Sequence, residues 1–191
     1  MIILYGGSFN PPTMAHYQVV ELLNKKYNPD KIVIMPVGCA YPKPELAPCS
    51  ERFEMLKLMA LKFDNVLVSD FELKQPFIGT IRALEHLEKE YGQKVALAIG
   101  ADNLVSLPTW IEAEKLIANY QLIVFNRTHI LSRDKVKNCE RDHKIKLDVV
   151  EFDYEISASK IRSNVRKYKK HLLPEVYKYI KLNNLYDKEG K

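Results

Sequence analysis

The residue types best suited to chemistry lie at the start of the chain, where a short apolar run meets two glycines. Residues 2–5 (Ile-Ile-Leu-Tyr) have the pattern of a buried strand. We expect Gly6 and Gly7 to break it, because glycine permits a sharp turn or the close approach of another group. Pro11 and Pro12 suit a helix's first turn, where free N–H groups and the positive dipole end would face the sheet edge. This arrangement predicts an anion-binding site.

Two side chains at the start of this helix could contact such an anion. Thr13 and His16 are three residues apart, so they share one face of the first turn. They offer one neutral donor and one titratable donor. Spacing alone leaves a plainer alternative open, in which the glycines form an ordinary turn and His16 lies on the surface.

Length and composition indicate one globular domain. The 191 residues are 47% hydrophobic and 28% charged, which predicts a single domain spanning 1–191. No uncharged run approaches the ~20 apolar residues of a membrane span, and no basic segment precedes an apolar stretch at the N-terminus. We therefore expect no membrane association and a cytoplasmic location. Cys39, Cys49 and Cys139 are widely spaced, so neither a disulfide framework nor a zinc site is expected.

Charge is unevenly distributed along the chain. Residues 1–126 carry 12 basic and 14 acidic side chains, a balance of −2, whereas residues 127–191 carry 17 and 10, a balance of +7. A basic segment of this kind could contact nucleic acid or a compact polyphosphate. Acidic residues are interspersed and no known DNA- or RNA-binding pattern occurs. We therefore expect phosphate-binding residues on a solvated basic face, and no nucleic-acid partner.

Strands alternate with helices, which predicts an α/β fold with a parallel sheet covered on both faces. The predicted strands are 2–5, 31–36, 66–69, 95–99, 121–125 and 146–152. Helices are predicted from the Pro11-Pro12 pair to Tyr27, from an N-cap at Ser50, over 80–91, over 111–118, from near Ser157 and from Pro174, with 126–144 irregular.

Ligands of such sheets bind at the carboxyl ends of the strands, where the strand order reverses. Four segments follow predicted strands and are expected to lie along that edge. They are Gly6–Asn10, Pro36–Lys43, Gly100–Asn103 and Asn126–Arg127.

Two motifs far apart in the sequence resemble the paired signatures of one enzyme superfamily. Gly7–His16 (GSFNPPTMAH) resembles the nucleotidyltransferase signature G-[ST]-F-[DN]-P-x-[HT]-x-G-H, and Ile156–Arg162 (ISASKIR) resembles the second signature, I-S-S-T-x-I-R. Further segments are similar to the nicotinate-nucleotide adenylyltransferases of NAD synthesis. These are Ile99–Leu104 with Trp110 downstream, Val124–Arg127, Pro174–Ile180 and Asn184–Tyr186.

The resemblance implies a single Rossmann-like, doubly wound parallel sheet of the nucleotidyltransferase type, with helices at the C-terminus. It implies transfer of an adenylyl group from ATP to nicotinate mononucleotide, with pyrophosphate leaving. The attacking group is already a phosphate anion, so positioning and charge neutralisation are the chemistry required. Mg²⁺ would arrive with ATP, held by phosphates and water, and no protein metal ligands are expected. Whether the protein forms a homo-oligomer stays open.

The resemblance also assigns roles to residues of this chain. His16 would donate to the α-phosphate, and Arg162 would meet the β- and γ-phosphates. Apart from the resemblance, Lys43 lies on a proline-rich loop from which it could reach a phosphate. The expected ATP-binding residues are Gly7, Ser8, Phe9, Thr13, His16, Gly100, Asp102, Ser157, Ser159 and Arg162. The expected mononucleotide-binding residues are Thr80, Asp102, Trp110 and Arg127. Plainer alternatives are an N-cap at Ser157–Ser159, a solvated Lys43, a core Trp110 and a loop-turn Asp102.

The chain departs from the family pattern at four positions. Ala15 stands where Gly is common, Ala158 where Ser is frequent, Gly79 where Tyr often precedes Thr, and Ala83 where a second Thr is common. The last two concern the mononucleotide most. Open alternatives are nicotinamide mononucleotide or another acceptor for the same chemistry, and a non-catalytic nucleotide-binding module.

Overall fold

A computed structural model describes residues 1–41, 43–127, 131–143, 145–154 and 156–186, without the side chains of Arg127, Arg133 and His143. The described residues form one six-stranded sheet, parallel throughout. The strands are β1 Ile2–Gly7, β2 Lys31–Pro36, β3 Val66–Val68, β4 Val95–Gly100, β5 Gln121–Arg127 and β6 Leu147–Phe152, in the order β3-β2-β1-β4-β5-β6. The order reverses between β1 and β4, which confirms the doubly wound α/β fold.

Helices cover both faces of the sheet. They are α1 Met14–Tyr27, α2 Cys49–Ala60, α3 Thr80–Tyr91, α4 Ala101–Ser106, α5 Ala113–Asn119, α6 Arg133–His143, α7 Ala158–Ser163 and α8 Pro174–Leu182. Short 3-10 turns occur at Phe71–Leu73, Leu107–Thr109 and Lys169–His171. None of the described helices is long and apolar enough to cross a membrane.

Alternation along the strands builds two apolar cores, one on each face. In β1, Ile3 and Tyr5 join the core beneath α1, α2 and α8, whereas Ile2 and Leu4 join the core beneath α3 and α5. A strand buried on both faces needs apolar residues at successive positions, which explains the uninterrupted run at residues 2–5.

The start of the chain differs from expectation in two ways. Gly6 and Gly7 do not break the strand, because they continue β1 opposite Met35 and Pro36 of β2. Pairing with a neighbouring strand overrides the weak strand propensity of glycine. The prolines do not form the first helical turn either, since α1 begins at Met14 with Thr13 as N-cap.

Three helix predictions also need correction. α2 begins at Cys49 with Pro48 in the N-cap position, so Ser50 is not its N-cap. α4 occupies part of a predicted loop, and its six residues are too few to show a periodic pattern. α6 lies in the segment expected to be irregular, because a helix so rich in charged residues has little apolar stripe to detect.

The expectation about cysteines is partly wrong. Cys39 and Cys49 form a disulfide across the segment between β2 and α2, with their Cα atoms 5.1 Å apart. We call residues 37–49 the β2–α2 loop. Its fold brings together two cysteines that are ten positions apart, which no spacing motif announces. Cys139 has a free thiol, and burial raises its pKa.

Candidate active site

Two adjoining cavities open at the carboxyl ends of β1 and β4, where the strand order reverses. We name them the His16 cavity, of about 230 Å³, and the Trp110 cavity, of about 250 Å³. The two cavities share four lining residues, Gly6, Gly7, Ser8 and Asn103. The end of β1 and the loop after it therefore form the boundary between two ligand-sized spaces.

The His16 cavity collects most of the residues expected to bind ATP. Its lining includes Gly7, Ser8, Phe9, His16, Gly100 and Asp102. Ala15 lies beside them in the lining, so the departure from the usual glycine affects this wall. Asp102 lies on the first turn of α4 and is exposed.

Thr13 orients His16. The Thr13 backbone N–H donates to His16 Nδ1 at 2.9 Å, and the Thr13 hydroxyl lies 2.9 Å from the same nitrogen. Because Nδ1 accepts, the neutral imidazole carries its proton on Nε2. Phe9 contacts the ring edge-on, with ring centroids 5.0 Å apart. Thr13 itself is buried and does not line the cavity, so its place is behind the histidine.

Asn10 ties the β1–α1 loop to two distant parts of the chain. Its amide donates to the Glu45 carbonyl at 2.9 Å, and its side-chain oxygen accepts from the Ala47 N–H at 3.1 Å and the Tyr186 hydroxyl at 2.7 Å. Its backbone carbonyl accepts from Arg162 Nη1 at 2.8 Å. The two segments that resemble the nucleotidyltransferase signatures, residues 7–16 and 156–162, therefore contact each other at this buried asparagine.

Arg162 is held at the first loop. Besides the Asn10 carbonyl, its guanidinium contacts Glu45 Oε2 at 3.0 Å and Ser159 Oγ at 3.4 Å, and the side chain is 16% exposed. Ser157 is the N-cap of α7, accepting from the Lys160 N–H at 3.2 Å. Lys43 is exposed on the β2–α2 loop. Arg162 and three other residues expected at phosphates line neither cavity; the three are Lys43, Ser157 and Ser159.

A buried arginine that sequence reasoning missed links the loops around the site. Arg52 on α2 is 1% exposed and donates to the carbonyls of Ser8 at 3.1 Å, Val37 at 2.8 Å and Ala47 at 3.1 Å. Burial lowers its pKa. A signal was present, because Arg52 lies three residues before Met55 on the buried face of the helix.

The Trp110 cavity contains the aromatic and hydroxyl residues expected at the mononucleotide. Thr80, the first residue of α3, and Trp110 both line it. The Trp110 indole donates to Ser106 Oγ at 3.3 Å, and the ring also packs on the second apolar core. Arg127 ends β5, but its side chain lies outside the described part of the structure.

The structure accounts for the departures at Gly79 and Ala83. Gly79 has φ +94°, and a Cβ there would lie 2.9 Å from the Ile111 Cβ. Both the backbone angle and the contact exclude a tyrosine without rearrangement of the cavity wall. Ala83 is buried in the apolar core under α3 and does not line the cavity.

Glu72 is a second residue that sequence reasoning missed. It lies in the 3-10 turn after β3 and lines the Trp110 cavity. Its Oε2 is buried without a hydrogen-bond partner. Burial raises the pKa of the carboxyl group to about 7, although the Gly38 N–H favours the charged form. A Cβ at Gly38 would overlap the Glu72 carbonyl, so glycine allows the β2–α2 loop to approach this turn.

Within the described residues, no group of three or more His, Cys, Asp or Glu side chains is arranged to hold a metal ion. Around the end of β1 the polar side chains are mainly the Ser8 hydroxyl and the His16 imidazole, while the carboxyl groups of Asp102 and Glu72 lie in different cavities. Such a donor set suits phosphate oxygens rather than a cation.

Comparison with known proteins first identifies the broad class of proteins to which the chain belongs. The family model described as cytidylyltransferase-like matches residues 4–164, which include both motifs and both cavities. Curated relatives then identify a more specific family within that class. A probable nicotinate-nucleotide adenylyltransferase of Acholeplasma laidlawii is 34% identical over 98% of either chain, and one of Sulfurimonas denitrificans is 35% identical over 94% of either chain. The chain belongs to the nicotinate-nucleotide adenylyltransferase family of cytidylyltransferase-like proteins.

Solved structures agree on the fold. The nicotinic acid mononucleotide adenylyltransferase of Plasmodium falciparum, complexed with NaAD, superposes with a TM-score of 0.82 at 22% identity over 97% of either chain. The same protein complexed with APC gives a TM-score of 0.80 at 22% identity, covering 97% of this chain and 96% of that one.

Proposed function

We propose that the protein transfers an adenylyl group from ATP to nicotinate mononucleotide, giving deamido-NAD and pyrophosphate. The observation that carries this proposal is the pair of adjoining cavities. One cavity has an oriented histidine at a helix N-terminus, and the other has an aromatic wall with Thr80. Gly7 and Ser8 line both cavities. If each cavity held one nucleotide, the phosphate groups of the two nucleotides would therefore meet at the end of β1. The relatives' names support the same reaction.

The chemistry is a substitution at phosphorus. A phosphate oxygen of the mononucleotide bonds to the α-phosphorus of ATP, and the bond from that phosphorus to the bridging oxygen of pyrophosphate breaks. No proton has to be removed from the nucleophile, so the protein supplies position and positive charge. His16 Nε2–H donates to an α-phosphate oxygen, and the N-terminus of α1 adds its dipole.

The triphosphate tail extends toward Arg162 in this proposal. The guanidinium donates to the Asn10 carbonyl and pairs with the Glu45 carboxylate, and this second contact supports the proposal that it can bind an anionic group. A β- or γ-phosphate would take the place of that carboxylate. Ser159 lies three residues before Arg162 in the sequence, and Lys43 lies on the same loop as Glu45. Mg²⁺ enters as part of the MgATP substrate, held by phosphates and water.

The mononucleotide occupies the Trp110 cavity, with its pyridine ring against the indole and Thr80 at its polar edge. Asp102 on α4 would contact the mononucleotide from the adjoining His16 cavity. Arg127, the last residue of β5, is kept as a proposed contact on the family resemblance alone. A cytoplasmic location is proposed with this function, because ATP and pyridine mononucleotides are metabolites of that compartment.

Pyrophosphate release with MgATP and each pyridine mononucleotide in turn tests the proposal. We expect release with nicotinate mononucleotide and a lower kcat/KM with nicotinamide mononucleotide. Equal values would remove the preference for the acid while keeping the reaction. No release with either substrate would contradict the proposed reaction and favour a non-catalytic nucleotide-binding role.

A further inference from the structure

The Trp110 cavity contains one carboxyl group with no evident role in adenylyl transfer. Among the described residues lining this cavity, Glu72 is the one that can carry a full charge at neutral pH. Its Oε2 is buried in the absence of any hydrogen-bond partner. A buried carboxylate oxygen without a donor is costly, so this environment favours the protonated side chain.

The surroundings of Glu72 are close to neutral. From the β2–α2 loop, Tyr41 is the titratable side chain that shares the cavity. Next to Glu72 in sequence, Asp70 and Lys74 pair with each other at 2.8 Å. From α3, His86 stacks on Phe71, with ring centroids 4.1 Å apart. None of these charges contributes to the raised pKa of Glu72, which arises from desolvation.

We propose that Glu72 discriminates between acid and amide mononucleotides by binding a proton as the acid enters. The proposal rests on the function proposed above. A nicotinate group brings a carboxylate into the cavity, and a neutral Glu72 carboxyl group avoids the electrostatic repulsion that an ionised one would cause. A nicotinamide group brings N–H donors on a positively charged ring, which an ionised Glu72 tolerates. Selection of the acid therefore depends on the proton at Glu72.

The sign of the pH dependence follows from the pKa of about 7 in the free protein. Below pH 7 the carboxyl group is mostly neutral and admits the acid substrate. Above pH 7, KM for nicotinate mononucleotide rises by up to about tenfold per pH unit, whereas KM for the amide does not follow. Because both substrates carry the same ribose phosphate, the ratio of their kcat/KM values cancels its titration.

The first test compares that ratio between pH 6 and pH 8.5 in the native protein, Glu72→Gln and Asp70→Asn. We expect the acid-to-amide ratio to fall by at least about tenfold in the native protein and in Asp70→Asn, which removes an exposed carboxylate two residues away. In Glu72→Gln the ratio should be independent of pH. Parallel profiles in all three proteins would overturn the proposal.

The second test needs neither a variant nor turnover. Titration calorimetry of nicotinate mononucleotide at pH 8, in two buffers of different ionisation enthalpy, counts protons bound with the ligand. We expect uptake of close to one proton for the acid, about 0.9, and clearly less for the amide. Equal uptake for both ligands overturns the proposal even where pyrophosphate is released. Uptake with the acid but no pyrophosphate upholds Glu72 as a selector and rejects the reaction; absence of binding rejects both.

Discussion

In the proposed reaction, the His16 imidazole is the side chain on which catalysis should depend most, and one of its nitrogens is fixed by Thr13. Thr13 holds Nδ1, so Nε2 is the donor available for the α-phosphate. We expect His16→Ala to lower kcat by about 10²–10³, as loss of one preorganised oxyanion donor does elsewhere. Pyrophosphate release measures the loss, and the melting temperature verifies that the variant is folded. A folded variant with near-native kcat would refute the role given to His16.

Glu72 should leave a mark on stability as well as on specificity. Its folded-state pKa, about 7, lies above the ordinary value of 4.5, so the folded protein binds this proton more tightly than the unfolded chain. The contribution of the Glu72 proton to the stability of the fold is therefore fully present below pH 4.5 and is lost as the pH rises through 7. We expect the free energy of unfolding of Glu72→Gln to be about 2–3 kcal/mol higher than that of the native protein at pH 8, and the difference to be much smaller at pH 5. Urea unfolding at the two pH values measures this, and a gap of equal size at both would contradict it.

At the scale of elements, Arg52 joins two loops that belong to different strands. Its three donors satisfy carbonyls after β1 and β2 and before α2. Arg52→Met keeps the volume but leaves those carbonyls without donors, which should cost about 2–4 kcal/mol of stability. KM should rise for both substrates, because Ser8 borders both cavities. Lys57→Met, exposed on the same helix and paired with Glu54 at 2.7 Å, is the control and should change neither quantity.

The β2–α2 loop carries the second prediction at this scale. Its disulfide closes ten residues of chain that include Glu45, the partner of Arg162. Closing a loop of that length stabilises a fold by roughly 2–3 kcal/mol in the chain-entropy account. We expect a reducing agent to lower the melting temperature of the native protein and of Cys139→Ser. A variant with serine at both 39 and 49 should start lower and be insensitive; equal sensitivity in all three would rule out a stabilising disulfide.

Which elements were predictable depends on where their signals lie. β2 and α3 match expectation to the residue, because a buried apolar run and a glycine stop at Gly92 are local features. The sequence does not predict α6, because the helix is highly charged and has little apolar periodicity. The prediction that Gly6 and Gly7 end β1 is wrong, because these glycines pair with β2, and the sequence around them does not show that pairing. The significance of Arg52 and Glu72 comes from contacts with loops far away in sequence. The local pattern could place Arg52 on the buried face of α2, but it could not identify the carbonyl groups to which Arg52 donates.

At the scale of the whole molecule, the C-terminal segment contacts the loop between β1 and α1, which borders the candidate site. Asn184 and Tyr186 both have positive φ, 51° and 62°, and this turn directs the chain back after α8. The Tyr186 hydroxyl then donates to Asn10 Oδ1 across 176 positions of sequence. Burial raises the pKa of Tyr186 far above its ordinary value, so the phenol stays protonated and remains a donor. The ends of the chain are thereby coupled at the residue that holds Arg162.

Tyr186→Phe tests this coupling, with Tyr179→Phe as a matched control. Tyr179 donates to Glu51 Oε2 at 2.8 Å between α8 and α2, so both changes remove one hydroxyl and one hydrogen bond of the C-terminal segment. Each should cost about 1 kcal/mol in urea unfolding. In Tyr186→Phe alone, Asn10 loses a constraint, Arg162 loses its fixed position, and KM for MgATP should rise several-fold. A rise of the same size in Tyr179→Phe would show that KM follows general loosening of the fold, and the direct link from the C-terminal segment to the triphosphate would then be rejected.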